Sequence, residues 1–202
     1  MKKTIITVIL AVLVISSFAA FRFSKYYSIA CDDYADKGVK GRLSSEINVH
    51  IAEHLNENSD LCSDIIKINK LNDGMIGSIE INASKINHIA NQLTHEIYEQ
   101  ISSTEYDFGV PLGNALGSKL FSSKGPKIKF NVTPVGAVSY EIKSELITGG
   151  INQTLHRVYI VYTSEIKCIA PFYESKNEIK NTVIIAETLI VGNIPEVIIP
   201  KN

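Results

Sequence analysis

The chain opens with an uninterrupted apolar stretch. Residues 4–21 contain no charged residue, no glycine and no proline. As an α-helix rising 1.5 Å per residue, this stretch spans about 27 Å, which is close to the thickness of a bilayer core. Lys2 and Lys3 precede it, and further cations follow it. The pattern predicts a membrane anchor at residues 1–25 and one extracytoplasmic domain at residues 26–202.

A cleaved secretory signal is the alternative, because it too has a basic start and an apolar centre. Ser17-Phe18-Ala19 resembles a weak cleavage site. The apolar run is long for a signal, however, and bulky aromatic residues continue beyond it at Phe23 and Tyr26. Such residues are typical of the membrane interface, so we favour an uncleaved, single-pass transmembrane helix in the cell membrane. Both hypotheses place the rest of the chain outside the cytoplasm.

Two amphipathic helices are predicted in the first half of the chain. Between Val39 and Leu55 an apolar residue recurs every fourth position, which is the spacing of one helix face. A second helix is predicted to start near Ser84, whose hydroxyl is expected to act as the N-cap. The residues expected to form its buried stripe are Ile86, Ile89, Ala90, Leu93, Ile97 and Ile101.

Strands are predicted on both sides of the second helix. Residues 61–71 and 75–82 are expected to form a hairpin around the turn Asn72-Asp73-Gly74. The segment 109–126 holds four glycines and two prolines and is expected to be a loop-rich junction with one helical turn at 114–121.

Beyond Pro126 the apolar residues alternate with polar ones, which is typical of a half-buried strand. Further strands are predicted at 136–147, 154–169 and 178–191, the last with an end covered on both faces because it is nearly all apolar. Helices followed by strands predict an α+β domain with two helices and a mainly antiparallel sheet.

Composition narrows the functional classes. The chain has 202 residues, of which 45% are hydrophobic, and a formal net charge of −1. The apolar content is enough to bury a core, which excludes general disorder. The first 25 residues contain only basic charges, so the remainder is acidic. An acidic body argues against nucleic acid as a partner, since a nucleic-acid binder needs a basic surplus.

One short string suggests metal chemistry. His50-Ile51-Ala52-Glu53-His54 matches the H-x-x-E-H pattern of the inverzincin metalloproteases, in which two histidines four residues apart bind zinc and the glutamate acts as the general base. Half-buried polar residues beside an apolar helix stripe give the same pattern, and no third ligand stands out in the sequence. We therefore expect no metal and no cofactor, and keep a zinc-dependent hydrolase as the alternative.

Polar residues cluster after a Gly149-Gly150 pair at the start of the predicted strand 154–169. We take these residues as candidates for a binding surface for another protein or for cell-envelope material: Asn152, Gln153, Thr154, His156 and Arg157. His156 is expected on the face that carries Val158. A purely structural role, with the polar residues closing the turn and the histidine packed in the sheet, is the simpler alternative.

Glu187 is the sixth candidate. It is expected to share a strand face with Val183 and Ile185, where a carboxylate is costly unless it is paired or hydrogen-bonded. Arg157 and His156 are the partners of suitable type. No catalytic residues are predicted, because nucleophile and phosphate-loop motifs are missing from the sequence.

The three cysteines do not predict a disulfide framework. Cys31, Cys62 and Cys168 are odd in number and far apart in the sequence, so at most one bridge can form. Their spacing does not match a zinc ribbon either. They are expected to act as small apolar side chains.

Four blocks in a fixed order resemble the YunB family of endospore-forming bacteria. The blocks are Pro111-Leu112-Gly113, Gly125-Pro126-Lys127-Ile128, Gly150–His156 and Glu187–Pro195, and the resemblance covers residues 5–199. It implies a sporulation protein made in the mother cell and tied to its membrane. No catalytic residues are carried over from the family.

The function expected from these observations is a non-catalytic, membrane-anchored protein required for endospore formation. It would act in the mother-cell compartment through contacts with unidentified proteins of the sporulation machinery or with the envelope. The alternative is a zinc-dependent cell-envelope hydrolase that uses the string at residues 50–54.

Overall fold

The computed structural model describes residues 2–72, 76–103, 108–117, 120–150 and 153–192. Three predicted features therefore lie wholly or partly outside the described residues. They are the candidate Asn152, the predicted turn at Asp73-Gly74 and the block Asn193–Pro195.

The N-terminal region is helical. Helix α1 covers Lys2–Asp33, a six-residue π-helical segment covers Tyr34–Val39, and α2 covers Lys40–Glu57. Residues 3–25 of α1 are exposed to solvent along their whole length. Within the described residues, one helix is long and apolar enough to cross a membrane, and its most apolar window of 18 residues has a mean hydropathy of 2.6. By length and composition this helix agrees with the predicted anchor.

The chain divides into two compact units. The first unit consists of residues 1–43, 101–135 and 165–178, and the second consists of residues 44–100, 136–164 and 179–202.

In the first unit, α1 is accompanied by short strands and a short helix. Strand β3 (Phe108–Pro111) leads directly into α4 (Leu112–Ala115), and β4 (Lys127–Pro134) follows. Strand β4 pairs antiparallel with β3, with Phe108 opposite Phe130. The rings of Tyr34, Phe130 and Tyr173 form the aromatic centre of this unit, with successive ring centroids 5.7 and 5.8 Å apart.

The loop from α4 to β4 depends on close backbone approach. The Leu112 N–H donates to the Pro126 carbonyl and the Gly113 N–H to the Lys124 carbonyl, both at 2.9 Å. A Cβ on Gly113 would lie 1.8 Å from the Phe121 carbonyl oxygen, so only glycine fits at that position. The proline–leucine–glycine and glycine–proline blocks of the sequence thus close one and the same loop.

The second unit contains helices and a hairpin. After a 3₁₀ turn at Ser59–Cys62, β1 (Ile66–Lys70) pairs antiparallel with β2 (Ile76–Ile81). The pairing confirms the predicted hairpin, but its first strand is shorter than the predicted 61–71 because the chain turns at Ser59–Cys62 first. Helix α3 covers Ala83–Ser103, and the six residues of its predicted stripe are all buried. The predicted N-cap at Ser84 is wrong, because Asn82 Oδ1 accepts the hydrogen bond from the Lys85 N–H one turn into the helix.

The larger sheet of the described residues has five strands, and three long ones join β3 and β4 in it. They are β5 (Ser139–Gly150), β6 (Gln153–Ala170) and β7 (Tyr173–Val191). Strand β6 pairs with β7 and, antiparallel, with β5 along residues 153–163 and with β4 along residues 166–169. The observed helices and antiparallel sheet confirm the predicted α+β class.

Tyr162 of β6 packs against α3. Its side chain is 1% exposed, and its hydroxyl lies 3.5 Å from the carbonyl oxygen of Ala90. Burial raises the pKa of Tyr162 above its usual value, so the phenol stays neutral at physiological pH.

Three sequence-based expectations need correction. Strand β3 was not predicted, since four residues next to a proline give too short a pattern. The expected helical turn at 114–121 begins and ends earlier, at Leu112–Ala115. The end of β7 is not covered on both faces, because Leu189 and Val191 are exposed.

Asn181 is the best-connected buried polar side chain of the second unit. It is 3% exposed, and its amide nitrogen lies 3.0 Å from the Ser44 carbonyl oxygen and 2.8 Å from Asn48 Oδ1. These contacts tie β7 to α2.

We expect Asn181→Ala to lower the free energy of unfolding by about 1–3 kcal/mol, because the partners on α2 lose a buried hydrogen-bond donor. The measurement is urea unfolding of the full chain in detergent. The adjacent exposed Thr182→Ala is the control and should change stability by less than about 0.5 kcal/mol. Equal effects of the two substitutions would contradict a role of Asn181 in holding α2.

Candidate functional site

The predicted binding residues lie at one end of the β5–β6 pair. Gly150 pairs with Gln153, and from there the two strands run antiparallel to Ser139 and Thr163. Gln153 is exposed and Thr154 is half-buried. The structure therefore places these two candidates at the surface, whereas Asn152 is outside the described residues.

His156 is the buried member of the set. It is 4% exposed, and its face also carries the buried Val158, as predicted from the alternation. Its Nε2 atom lies 2.8 Å from the Ser144 hydroxyl oxygen on β5. Its Nδ1 atom is buried without a hydrogen-bond partner among the described residues.

A serine–histidine contact invites comparison with a hydrolase dyad. In hydrolases, a carboxylate holds the other ring nitrogen and orients the imidazole, and backbone N–H groups face the developing oxyanion. Here no described carboxylate reaches Nδ1. Ser144 is also paired within a regular strand rather than placed on an exposed turn. The contact supports a structural role for His156.

Arg157 lies on the opposite face and joins two carboxylates. Its Nε donates a hydrogen bond to Glu187 Oε1, and its Nη1 lies 3.4 Å from Glu145 Oε1. We call Glu145, Arg157 and Glu187 the charged cluster. The hydrogen bond to Glu187 is the main cause that raises the pKa of Arg157, so the guanidinium remains a cation.

The predicted surroundings of Glu187 are wrong, although its predicted partner is correct. Along β7 the odd-numbered residues are buried from Ile179 to Ile185, but from Ala186 on the even-numbered residues are the less exposed ones. Glu187 thus leaves the buried face, and its side chain is 40% exposed. An exposed pair of this kind contributes little to stability.

Sequence reasoning missed the two partners on β5, Ser144 and Glu145. Glu145 lies opposite Arg157 only because the register shifts by one residue between Thr148 and Gly150, so counting back from the Gly149-Gly150 turn would have placed Leu146 there instead. Ser144 then becomes the diagonal neighbour of His156 on the other face.

The histidines of the H-x-x-E-H string face α3. His50 Nε2 lies 3.1 Å from Glu96 Oε2, and His54 Nδ1 lies 3.9 Å from Glu96 Oε1. Glu53, the would-be general base, is exposed. In the part of the chain that the structure describes, no group of three or more His, Cys, Asp or Glu side chains is arranged to hold a metal ion. The contacts of the two histidines are accounted for by the packing of α2 on α3.

The cysteines lack the environment of a nucleophile. All three are free, and Cys31 and Cys168 are buried. Burial is the main cause that raises the pKa of the Cys62 and Cys168 thiols, which lowers the thiolate fraction at neutral pH. They behave as the small apolar side chains that the sequence predicted.

We expect Ser144→Ala to destabilise the protein by about 1–3 kcal/mol, because the buried His156 ring loses its partner. The measurement is urea unfolding of the full chain in detergent. Lys143→Ala is the control, since its ion pair with Glu141 joins two exposed side chains. If the two variants unfold at the same urea concentration, the contact of Ser144 with His156 does not stabilise the fold.

Comparisons with known proteins point to one family. The family described as Sporulation protein YunB matches residues 107–197. The chain is also 22% identical, over 166 residues, to Sporulation protein YunB of Bacillus subtilis (strain 168). This alignment covers 77% of the chain but less than two thirds (65%) of that relative. No solved structure matches the chain significantly. Both matches support the assignment to the YunB family, so the resemblance predicted from the sequence blocks is confirmed.

Proposed function

We propose, starting from the assignment to the YunB family, that this chain is a membrane-anchored sporulation protein that works through contacts rather than catalysis. The name of its relative from Bacillus subtilis, a sporulation protein, supports the role in sporulation. The solvent-exposed helix α1 supports the anchor, since its uncharged and mainly apolar run of 18 residues matches the thickness of a bilayer. The protein acts in the mother-cell compartment with its body outside the cytoplasm.

The end of the β5–β6–β7 sheet is the proposed contact surface. The charged cluster lies there, and exposed apolar side chains accompany it at Ile147, on the same face of β5 as Glu145, and at Leu189. Apolar side chains beside charged ones are typical of a protein–protein interface with an apolar centre and a polar rim. Arg157 is paired with two carboxylates, so it holds the side chains of the surface in place and its charge is already neutralised. A protein partner fits this chemistry better than an anionic polymer does.

Deleting the gene in the endospore-forming bacterium that encodes the chain tests the role in sporulation. We expect the number of heat-resistant spores to fall and to recover when the wild-type chain is supplied from another locus. An unchanged spore yield in the deletion strain would contradict the proposed function.

The same strain tests the contact surface. The double variant Ile147→Glu with Leu189→Glu should fail to restore the spore yield, because it places charge in the apolar part of the surface while changing exposed residues only. Ile184→Glu alters another exposed residue of β7 and should restore it. The amount of protein and its resistance to protease need to match the wild type in each case.

The anchor has a separate test. Leu10→Arg with Leu13→Arg should remove the protein from the carbonate-washed membrane pellet, because each arginine at the centre of a transmembrane helix costs about 2.5–3.5 kcal/mol. Leu10→Ala with Leu13→Ala keeps the segment apolar and should leave the protein in the pellet.

N-terminal sequencing of the wild-type protein distinguishes the anchor from a cleaved signal. We expect the residues of the apolar run to be retained. A soluble product whose sequence starts near Phe21 would contradict the anchor and show that the segment is a cleaved secretory signal.

A further inference from the structure

Exposed apolar side chains surround the end of the apolar helix in the first unit. Phe172 occupies the turn between β6 and β7, where it has φ 58° and its side chain is fully exposed. Leu120 and Phe121, in the loop after α4, are also exposed. Large apolar side chains concentrated on loop tips mark a surface that meets another phase or partner.

The β6–β7 turn lies beside α1, just past the apolar run. The Tyr27 hydroxyl donates a hydrogen bond to the Pro171 carbonyl. Two residues further along the hairpin, the Tyr173 hydroxyl donates to Asp32 Oδ1 at 2.8 Å. From Pro171 to Tyr173, the contact on α1 moves from Tyr27 to Asp32, which is further from the apolar run. Strand β7 therefore leads away from the apolar run, and Phe172 is at the end of the hairpin nearest to it.

The loop after α4 reaches the same level of α1. The Gly109 N–H donates to the Tyr34 hydroxyl at 3.2 Å, whereas Gly117 packs on the ring of Tyr26. A Cβ on Gly117 would approach that ring to 2.6 Å, and its φ is +66°, so glycine alone permits this contact. Between Gly109 and Gly117 the chain thus descends along α1 by eight helix positions, which corresponds to about 12 Å.

This level lies at the outer edge of the headgroup layer if residues 4–21 fill the bilayer core. Tyr26 comes five residues after Phe21, which is about 7.5 Å along the helix. The headgroup layer on each side of a bilayer is about 5–7 Å thick. The β6–β7 turn, which contacts Tyr27, and the loop that passes Tyr26 then lie beside this layer. The exposed Lys25 lies on α1 between the apolar run and Tyr26, where anionic headgroups are within reach.

We propose that Phe172, Leu120 and Phe121 insert into the interface of the bilayer that α1 crosses, forming a second, peripheral attachment of the first unit. We call these three residues the apolar rim. The partner is the lipid surface itself. With the rim inserted, the first unit is held against the membrane and cannot pivot freely about α1. The inference rests on the anchor proposed above.

The sequence contains no tryptophan, so the fluorescence of a single introduced tryptophan comes from that position alone. The full chain carrying Phe172→Trp is reconstituted into vesicles of phosphatidylcholine and phosphatidylglycerol in equal parts, with or without bromine high on the acyl chains. We expect brominated lipid to quench the tryptophan emission, and the emission to be blue-shifted relative to free tryptophan. Phe121→Trp should behave in the same way.

Two further positions provide the controls. Phe18→Trp lies within the apolar run and reports on the anchor alone. Lys176→Trp is exposed and four residues further along β7 than Phe172, or about 13 Å, and should not be quenched.

Quenching at Phe18→Trp but not at Phe172→Trp or Phe121→Trp would overturn the apolar rim and leave the anchor intact. Emission from Phe172→Trp that is blue-shifted but unquenched would overturn it as well, since something other than lipid would then cover the residue. A lack of quenching at all four positions would overturn the anchor itself.

Discussion

Strand β6 is the element on which the rest of the structure depends. One of its edges is paired with β7, and the other is divided between β5 and β4. Side chains alternate with a period of two along a strand, so a shift of one residue in these pairings would exchange the two faces. The buried side chains of the strand would then leave the core, namely those of His156, Val158, Ile160 and Tyr162. The charged Arg157 would be buried in the core, away from water. Burial of this face fixes the register, and the register places the charged cluster.

In the first unit, the constraint is close approach to α1. Gly117 lets the chain approach the Tyr26 ring on α1, Gly113 lets it approach the Phe121 carbonyl, and the loop after α4 is closed by two backbone hydrogen bonds. Aromatic residues on the helix, on β4 and on β7 pack on one another beside this loop. The sequence blocks that carry the family resemblance in this region therefore serve packing. Their physical role is to set the loop tips beside the end of the apolar run.

The polar residues singled out in the second unit are bound to neighbouring side chains. The histidines on α2 face Glu96, His156 is held by Ser144, and Arg157 is held by two carboxylates. Each is engaged with a neighbour of complementary type, and catalysis needs instead a nucleophile and a base poised toward an open site. Such an arrangement agrees with a protein that presents a shaped surface to a partner.

The sequence by itself determined the elements whose signal is local. The apolar run, the buried stripes of the two long helices and the alternation along β6 follow from periodicity, and periodicity reports directly on which face is buried. Tertiary structure alone decided where these faces meet and what lies at their ends. Asn82 replaced Ser84 as the cap, β3 formed because β4 offered it an edge, and the burial pattern of β7 reversed after Ile185, which moved Glu187 to the surface. The cap is a local contact, since Asn82 bonds Lys85 three residues on. The other two outcomes depend on partners distant in the sequence, and no local pattern encodes the register or the change of face that brings such partners together.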